Sequence, residues 1–250
     1  MNDCLKGICR LSVVAMRTEP KTDAPLVSQL LFGEHYSVLE EVNDWLRIML
    51  YCDNSEGWIS KEQHSSISDE YFNQVNLSDY KVCTDISGKI FFQKKHVHIL
   101  LGSILPISTN ELFKLEEQVA FTGDSKSLSQ RREFDFLKEV LNKYHHAPYL
   151  EGGKTPFGID HAGFVQQVFK IGGYKLPRTV DKQRQFGQTI ESKTDLQAGD
   201  LIFSGSSVFI YLGEDKAIGI VEGSVERIKD LAVILGGATF KRILVQHNGN

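Results

Sequence analysis

The stretch PYLEGGKTPFGIDHAGFVQ, residues 148–166, decides how the rest of the chain is read. Gly152, Gly153 and Gly158 give its first half the backbone freedom of a tight loop, and Pro156 fixes one dihedral within it. Asp160 then stands where a helix N-cap belongs. Behind it Ala162, Val165, Val168 and Phe169 recur at three- and four-residue spacing, the apolar stripe of a helix packed into a core. A loop that delivers a side chain to a helix N-terminus suits a nucleophile, because the helix dipole favours an anion there. The side chain delivered here is His161.

Working outward, 250 residues exceed one typical domain and allow two or three small ones. The apolar share of 41% and charged share of 24% are those of an ordinary globular protein. A formal net charge of −4, with no basic run, argues against nucleic acid or an anionic membrane as partner. No apolar stretch reaches the roughly 18 residues of a bilayer span. The opening MNDCLKGICRLSVV lacks the charged-then-apolar pattern of a secretory signal, so the expected location is cytoplasmic. Cys4, Cys9, Cys52 and Cys83 have no paired metal spacing and read as free thiols, all in the first third of the chain. No metal or other cofactor is expected.

Along the chain, Cys9–Val14, Leu30–Glu34, Tyr36–Leu39, Trp45–Leu50 and Glu56–Ile59 read as short strands separated by turns, the pattern of a small barrel. Trp45 and Trp58 are expected to be packing residues. A second strand-like region runs from about Asn76 to Gly123, including Val97–Ser103 and Glu117–Phe121. His96 and His98 alternate on one strand there and read as exposed. The polar stretch TGDSKSLSQRR marks a boundary. Beyond it Phe134, Leu137, Val140, Leu141 and Tyr144 predict an amphipathic helix, with His145 and His146 at its C-terminal end, where positive charge is favoured. GGYKLPRTV reads as a turn into an extended segment, and Gln197–Asp200 as a turn into the strand Leu201–Phe203. Val208–Leu212 and Thr239–Val245 read as further strands. Helices followed by an antiparallel sheet make an α+β domain.

The phrases GGKTPFGIDHAGFVQQVF, LPR, LQAGDLIF and SVFIYLG resemble the NlpC/p60 cysteine peptidases. RTEP, QLLFGE, WLRI, EGWI and HILLGSILP resemble the bacterial SH3-like modules of one branch, the cytosolic γ-D-glutamyl-L-diamino-acid endopeptidases (dipeptidyl-peptidase VI-like) that act on muropeptides. The resemblance implies a papain-like domain at 131–250, preceded by two small SH3-like β-barrels at 1–72 and 73–130.

The chemistry it implies needs a thiolate, a histidine to take its proton and a third group to orient that histidine. Where the family has Asp-Cys-Ser-Gly, this chain has Asp160-His161-Ala162-Gly163. The base position aligns with Ser207 and the orienting position with Gly219, so none of the three keeps its function. The binding positions depart as well. Ala162 replaces a serine that holds D-Glu, Glu151 a tryptophan, and Thr179 and Val180 an acidic residue and a serine. Pro25 and Ser55 stand where a glutamate and a tyrosine of the first β domain face the L-Ala amine. Tyr149 keeps the hydroxyl that the family uses on an oxyanion, and Asp160 keeps the frame. The resulting expectation is a catalytically inactive homologue whose vestigial cleft, or a groove beside it, binds a peptide, a muropeptide or a protein partner. The alternative is residual or altered hydrolysis, including a metal centred on His161 with Asp160, His145 and His146 nearby in sequence.

Overall fold

The computed structural model describes residues 5–92, 94–105 and 120–244. They fall into two compact units, Met1–Gln130 and Arg131–Asn250.

The first unit begins with β1 (Lys6–Ile8), β2 (Val13–Arg17), β3 (Leu26–Leu31), β4 (His35–Val42), β5 (Trp45–Leu50), β6 (Glu56–Ser60) and β7 (Ser66–Ile67). These make one antiparallel sheet in the order β3-β2-β6-β5-β4-β1-β7. Alternation puts Leu46, Ile48 and Leu50 of β5 in the core with Val14, Met16 and Ile59. Trp45 and Trp58 are half-buried and fall on the other face of their strands, so they cover the sheet rather than fill its core. Cys9–Val14 is not one strand. The chain turns between β1 and β2, because Cys9 exchanges backbone hydrogen bonds with Gly33 and Glu34.

A helix absent from the sequence reading follows, α1 (Asp69–Leu77), capped by the Ser68 hydroxyl accepting from the Tyr71 amide. Then come β8 (Lys81–Cys83), β9 (Ser87–Phe92), β10 (Lys95–Leu100), β11 (Ala120–Thr122) and β12 (Ser125–Ser127). They build two small sheets around Cys83, Ile90, Ile99 and Leu105, a core that also takes in Phe32. His96 and His98 are exposed on β10, as expected. Cys4, Pro106, most of Glu117–Phe121 and Val245 lie outside the described residues.

The second unit contains α2 (Phe134–Tyr144), β13 (Lys154–Thr155), β14 (Gly158–Ile159), α3 (His161–Ile171), α4 (Val180–Arg184) and β15 (Gln188–Ile190). It ends with β16 (Leu201–Ser204), β17 (Ser207–Gly213), β18 (Lys216–Val221), β19 (Ser224–Ile228) and β20 (Thr239–Arg242). The six longer strands form one antiparallel sheet, β15-β20-β16-β17-β18-β19. Glu222 and Gly223, with φ of 50° and 88°, close the two-residue hairpin between β18 and β19. The α+β architecture inferred from sequence is the one observed. In one place it is more helical: Val180 opens α4, with the Thr179 hydroxyl accepting from the Lys182 amide, where an extended segment was expected.

Every residue of α3 from Ala162 to Phe169 is buried, so this helix is the core's axis rather than an amphipathic cover. One carboxylate sets where it starts. Asp160 accepts from the Gly163 amide at 2.6 Å and from the Gly152 amide at 2.9 Å. Arg178 donates to the same carboxylate through both terminal nitrogens, at 2.9 and 2.7 Å, and to the Gly153 carbonyl at 3.3 Å. Loop, helix N-terminus and the Leu176–Arg178 segment are thereby fixed to one another. Gly163 has to be glycine for this, since a Cβ would lie 2.4 Å from the Gly153 carbonyl oxygen.

Both members of this ion pair are almost fully buried, at 5% and 11% side-chain exposure. Removing the guanidinium strands a buried carboxylate, so Arg178→Ala is expected to lower the stability of the second unit by about 3–5 kcal/mol in urea unfolding. Lys138→Ala breaks an ion pair to Asp135 that is open to solvent and should change stability by no more than about 0.5 kcal/mol.

Candidate functional site

His161 is the first residue of α3, and its half-buried ring lies between three neighbours. The Tyr149 ring is 5.8 Å away centroid to centroid, and Phe209 stands edge-on at 6.5 Å. On the third side His161 Nε2 and the Ser207 hydroxyl are 3.4 Å apart, a long hydrogen bond. The other ring nitrogen, Nδ1, is buried and has no hydrogen-bond partner among the described residues. Burial lowers the His161 pKa, against the weaker opposing pull of Asp160 and Glu151, so the ring is held neutral.

Two of the positions singled out in sequence, His161 and Ser207, therefore do come together. The third, Gly219, is buried on β18 and offers no side chain. There is no room for one: a Cβ on Gly219 would lie 2.4 Å from Cδ1 of Phe209. Phe209 thus occupies the space into which an orienting residue at 219 would project. Its part in the site was invisible in the sequence, where it reads as one more apolar strand residue.

Tyr149 donates its hydroxyl to the Glu151 carboxylate, and this hydrogen bond is the main cause that pushes its pKa up to about 12. Both side chains are exposed, with Leu150 and Phe157 also open to solvent on the same loop. Asp160 is held by Arg178 and two amides, so its role is to fix the frame. Ala162 is buried and its carbonyl accepts from Gln183 at 2.9 Å, while Thr179 and Val180 form the start of α4. Pro25 and Ser55 lie in the first unit, in the turns after β2 and β5. There the Ser55 hydroxyl is bonded to Asp53.

His145 and His146 follow α2 directly, as the helix periodicity predicted. They do not join Asp160 or His161. Both face Glu226 of β19, with His146 Nδ1 2.8 Å and His145 Nε2 3.7 Å from its carboxylate oxygens. Among the described residues, no group of three ligand side chains includes His161. Glu226 was missed in sequence because it lies 80 residues beyond His146 and carries no spacing signal.

Comparison with known proteins agrees with this architecture. Residues 146–232 match the NlpC/P60 family, and residues 16–63 match the bacterial dipeptidyl-peptidase SH3 domain. A gamma-D-glutamyl-L-lysine dipeptidyl-peptidase of Bacillus subtilis is 25% identical over 201 residues, which is 73% of this chain and 65% of the relative, so the match spans just under two thirds of that protein. Dipeptidyl-peptidase 6 of Lysinibacillus sphaericus is 25% identical over 78% of this chain and 80% of its own length. The crystal structure of an NlpC/P60 family protein from Bacillus cereus superposes with a TM-score of 0.81 at 20% identity, covering 95% of this chain and 99% of that one. The chain thus carries a bacterial dipeptidyl-peptidase SH3 domain at residues 16–63 and an NlpC/P60 domain at residues 146–232.

Proposed function

We propose that this protein is a non-hydrolytic homologue of the γ-D-glutamyl-L-diamino-acid peptidases that binds a peptide of muropeptide type. The observation that carries the reading is the pairing of His161 with Ser207 over the closed-off Gly219. A cysteine-peptidase mechanism needs a thiolate at the head of α3, and the chain's cysteines, at 4, 9, 52 and 83, all belong to the first unit. It also needs a base held in one tautomer by a third group, and Nδ1 of His161 has no such partner among the described residues. The oxyanion side is altered too. Tyr149 donates to Glu151 rather than standing free, and a carboxylate beside a developing negative charge opposes it.

Support for a binding role comes from what stays open. The exposed Tyr149, Leu150 and Phe157 give the loop an apolar rim next to a carboxylate at Glu151, a surface that suits an extended peptide with a free amine. A protein partner presenting such a segment would use the same features. The cytoplasm is the proposed location, consistent with recycled muropeptides as ligands, and no helix among the described residues is long and apolar enough to cross a membrane.

One observation favours a second reading. The 3.4 Å approach of Ser207 to His161 would let a serine attack with imidazole as base, the two roles exchanged in position. The buried Nδ1 weighs against it, since no group among the described residues holds the imidazole in the required tautomer.

Calorimetric titration with L-Ala-γ-D-Glu-diaminopimelate separates the two. The expected result is a saturable heat without sustained turnover, weakened when Tyr149→Ala removes the rim. Sustained heat that disappears in Ser207→Ala would overturn the inactive reading in favour of the serine mechanism. No heat at all would remove the muropeptide ligand.

The neutral state of His161 has a measurable consequence. Its folded pKa lies below the unfolded value of about 6.5, so the unfolded chain takes up the proton first. Its contribution to stability is therefore complete above about pH 6.5 and declines as pH falls below it. Urea unfolding at pH 7.5 and 5.5 should show a smaller loss on acidification for His161→Gln than for the unaltered protein. His64, also lowered by burial, is common to both and cancels in the difference.

A further inference from the structure

Away from His161, the end of α2 and the edge strand β19 bring together three side chains with the donor set of a transition-metal site. We propose that His145, His146 and Glu226 bind a zinc-like divalent ion, which clips the root of the Ala147–Glu151 loop to β19.

The geometry is close to what the ion requires. One ligand atom from each residue lies within 4.8 Å of the other two. In a tetrahedral zinc site with bonds of about 2.1 Å, ligand atoms stand about 3.4 Å apart. The two imidazole-to-carboxylate distances here, 2.8 Å from His146 to Oε1 and 3.7 Å from His145 to Oε2, straddle that value. Two nitrogens and one carboxylate oxygen suit zinc and neighbouring transition ions rather than magnesium, which prefers an all-oxygen shell.

The backbone is arranged to hold the three groups in place. His146 has a left-handed φ of 64°, uncommon for a non-glycine residue, and this conformation sets its ring against that of His145 at 3.8 Å between centroids. The His146 amide donates to the Val225 carbonyl and the Val225 amide to Ala147, both at 2.9 Å. Arg227 donates to Asn142 at 2.7 Å, which ties the last turn of α2 to the same strand. Behind the ligands, the Ser224 hydroxyl donates to Glu226 Oε1 at 2.8 Å and orients the carboxylate, as the outer partners of metal ligands commonly do. The site is solvent-accessible, with His146 70% exposed, so an ion can reach it and can keep a water in the fourth position.

The test is titration of the full chain, purified with chelator and then freed of it, with zinc chloride. The expected result is one zinc per chain and a rise in Tm, with magnesium chloride giving neither. His145→Gln combined with His146→Asn removes both imidazoles, and asparagine tolerates the left-handed backbone at 146. This variant should keep its metal-free Tm and lose affinity by at least about tenfold, since even outer partners of a metal are worth that much. Glu226→Gln should weaken binding in the same direction. Zinc bound equally well by the double variant, as cysteines in the first unit would allow, overturns the assignment. So does the absence of zinc binding by the unaltered chain.

Discussion

The buried ion pair of Asp160 and Arg178 is the constraint on which the second unit depends. The carboxylate does three things at once: it caps α3, anchors the glycine loop through the Gly152 amide, and binds the guanidinium that fixes the Leu176–Arg178 segment. A planar guanidinium serves here because it makes two parallel hydrogen bonds to one carboxylate and still reaches the Gly153 carbonyl. With its oxygens occupied in this way, Asp160 frames the site and has no capacity left for chemistry in it. The frame and the reactive group are therefore separable. None of the hydrogen bonds that fix the head of α3 uses the side chain of residue 161.

The features of the wall facing the His161 imidazole are mutually consistent. Phe209 can lie over β18 because residue 219 is glycine, and its apolar edge is compatible with a neutral ring but would oppose an imidazolium. The lowered pKa of His161 and the aromatic wall have the same physical basis, exclusion of water from one side of the ring. On the exposed side, Glu151 takes the Tyr149 hydroxyl and places a carboxylate beside the site. Together these features set a neutral imidazole against an aromatic wall on one side and a carboxylate-bound tyrosine hydroxyl on the other.

The edge strand β19 is a second organising element. The loop after α2 lies along it: the Tyr149 amide donates to the Gly223 carbonyl at 2.7 Å, and Pro148 bridges to Ser224. The tight Glu222–Gly223 hairpin places this strand, so the position of Tyr149 relies on a turn about 75 residues later in the chain. An edge strand also has a free row of backbone groups, and pairing with the loop protects part of it.

Much of this was legible in the residues themselves. The glycines, the cap at Asp160 and the apolar spacing behind it determined loop and helix locally, since caps and periodicity act over a few residues. The motifs determined the family and the α+β class, and the residues standing at 161, 207 and 219 could be read letter by letter. Turn and strand content in the first unit was also clear in outline. Cys9–Val14 broke at a turn set by distant Gly33 and Glu34, and α1 and α4 were not anticipated. What only the tertiary structure decided were the encounters between residues far apart in sequence: Arg178 with Asp160, Phe209 over Gly219, Ser207 with His161, and Glu226 with His145 and His146. Their partners are chosen by sheet register and helix packing, which depend on the whole core at once, and no local pattern records that choice.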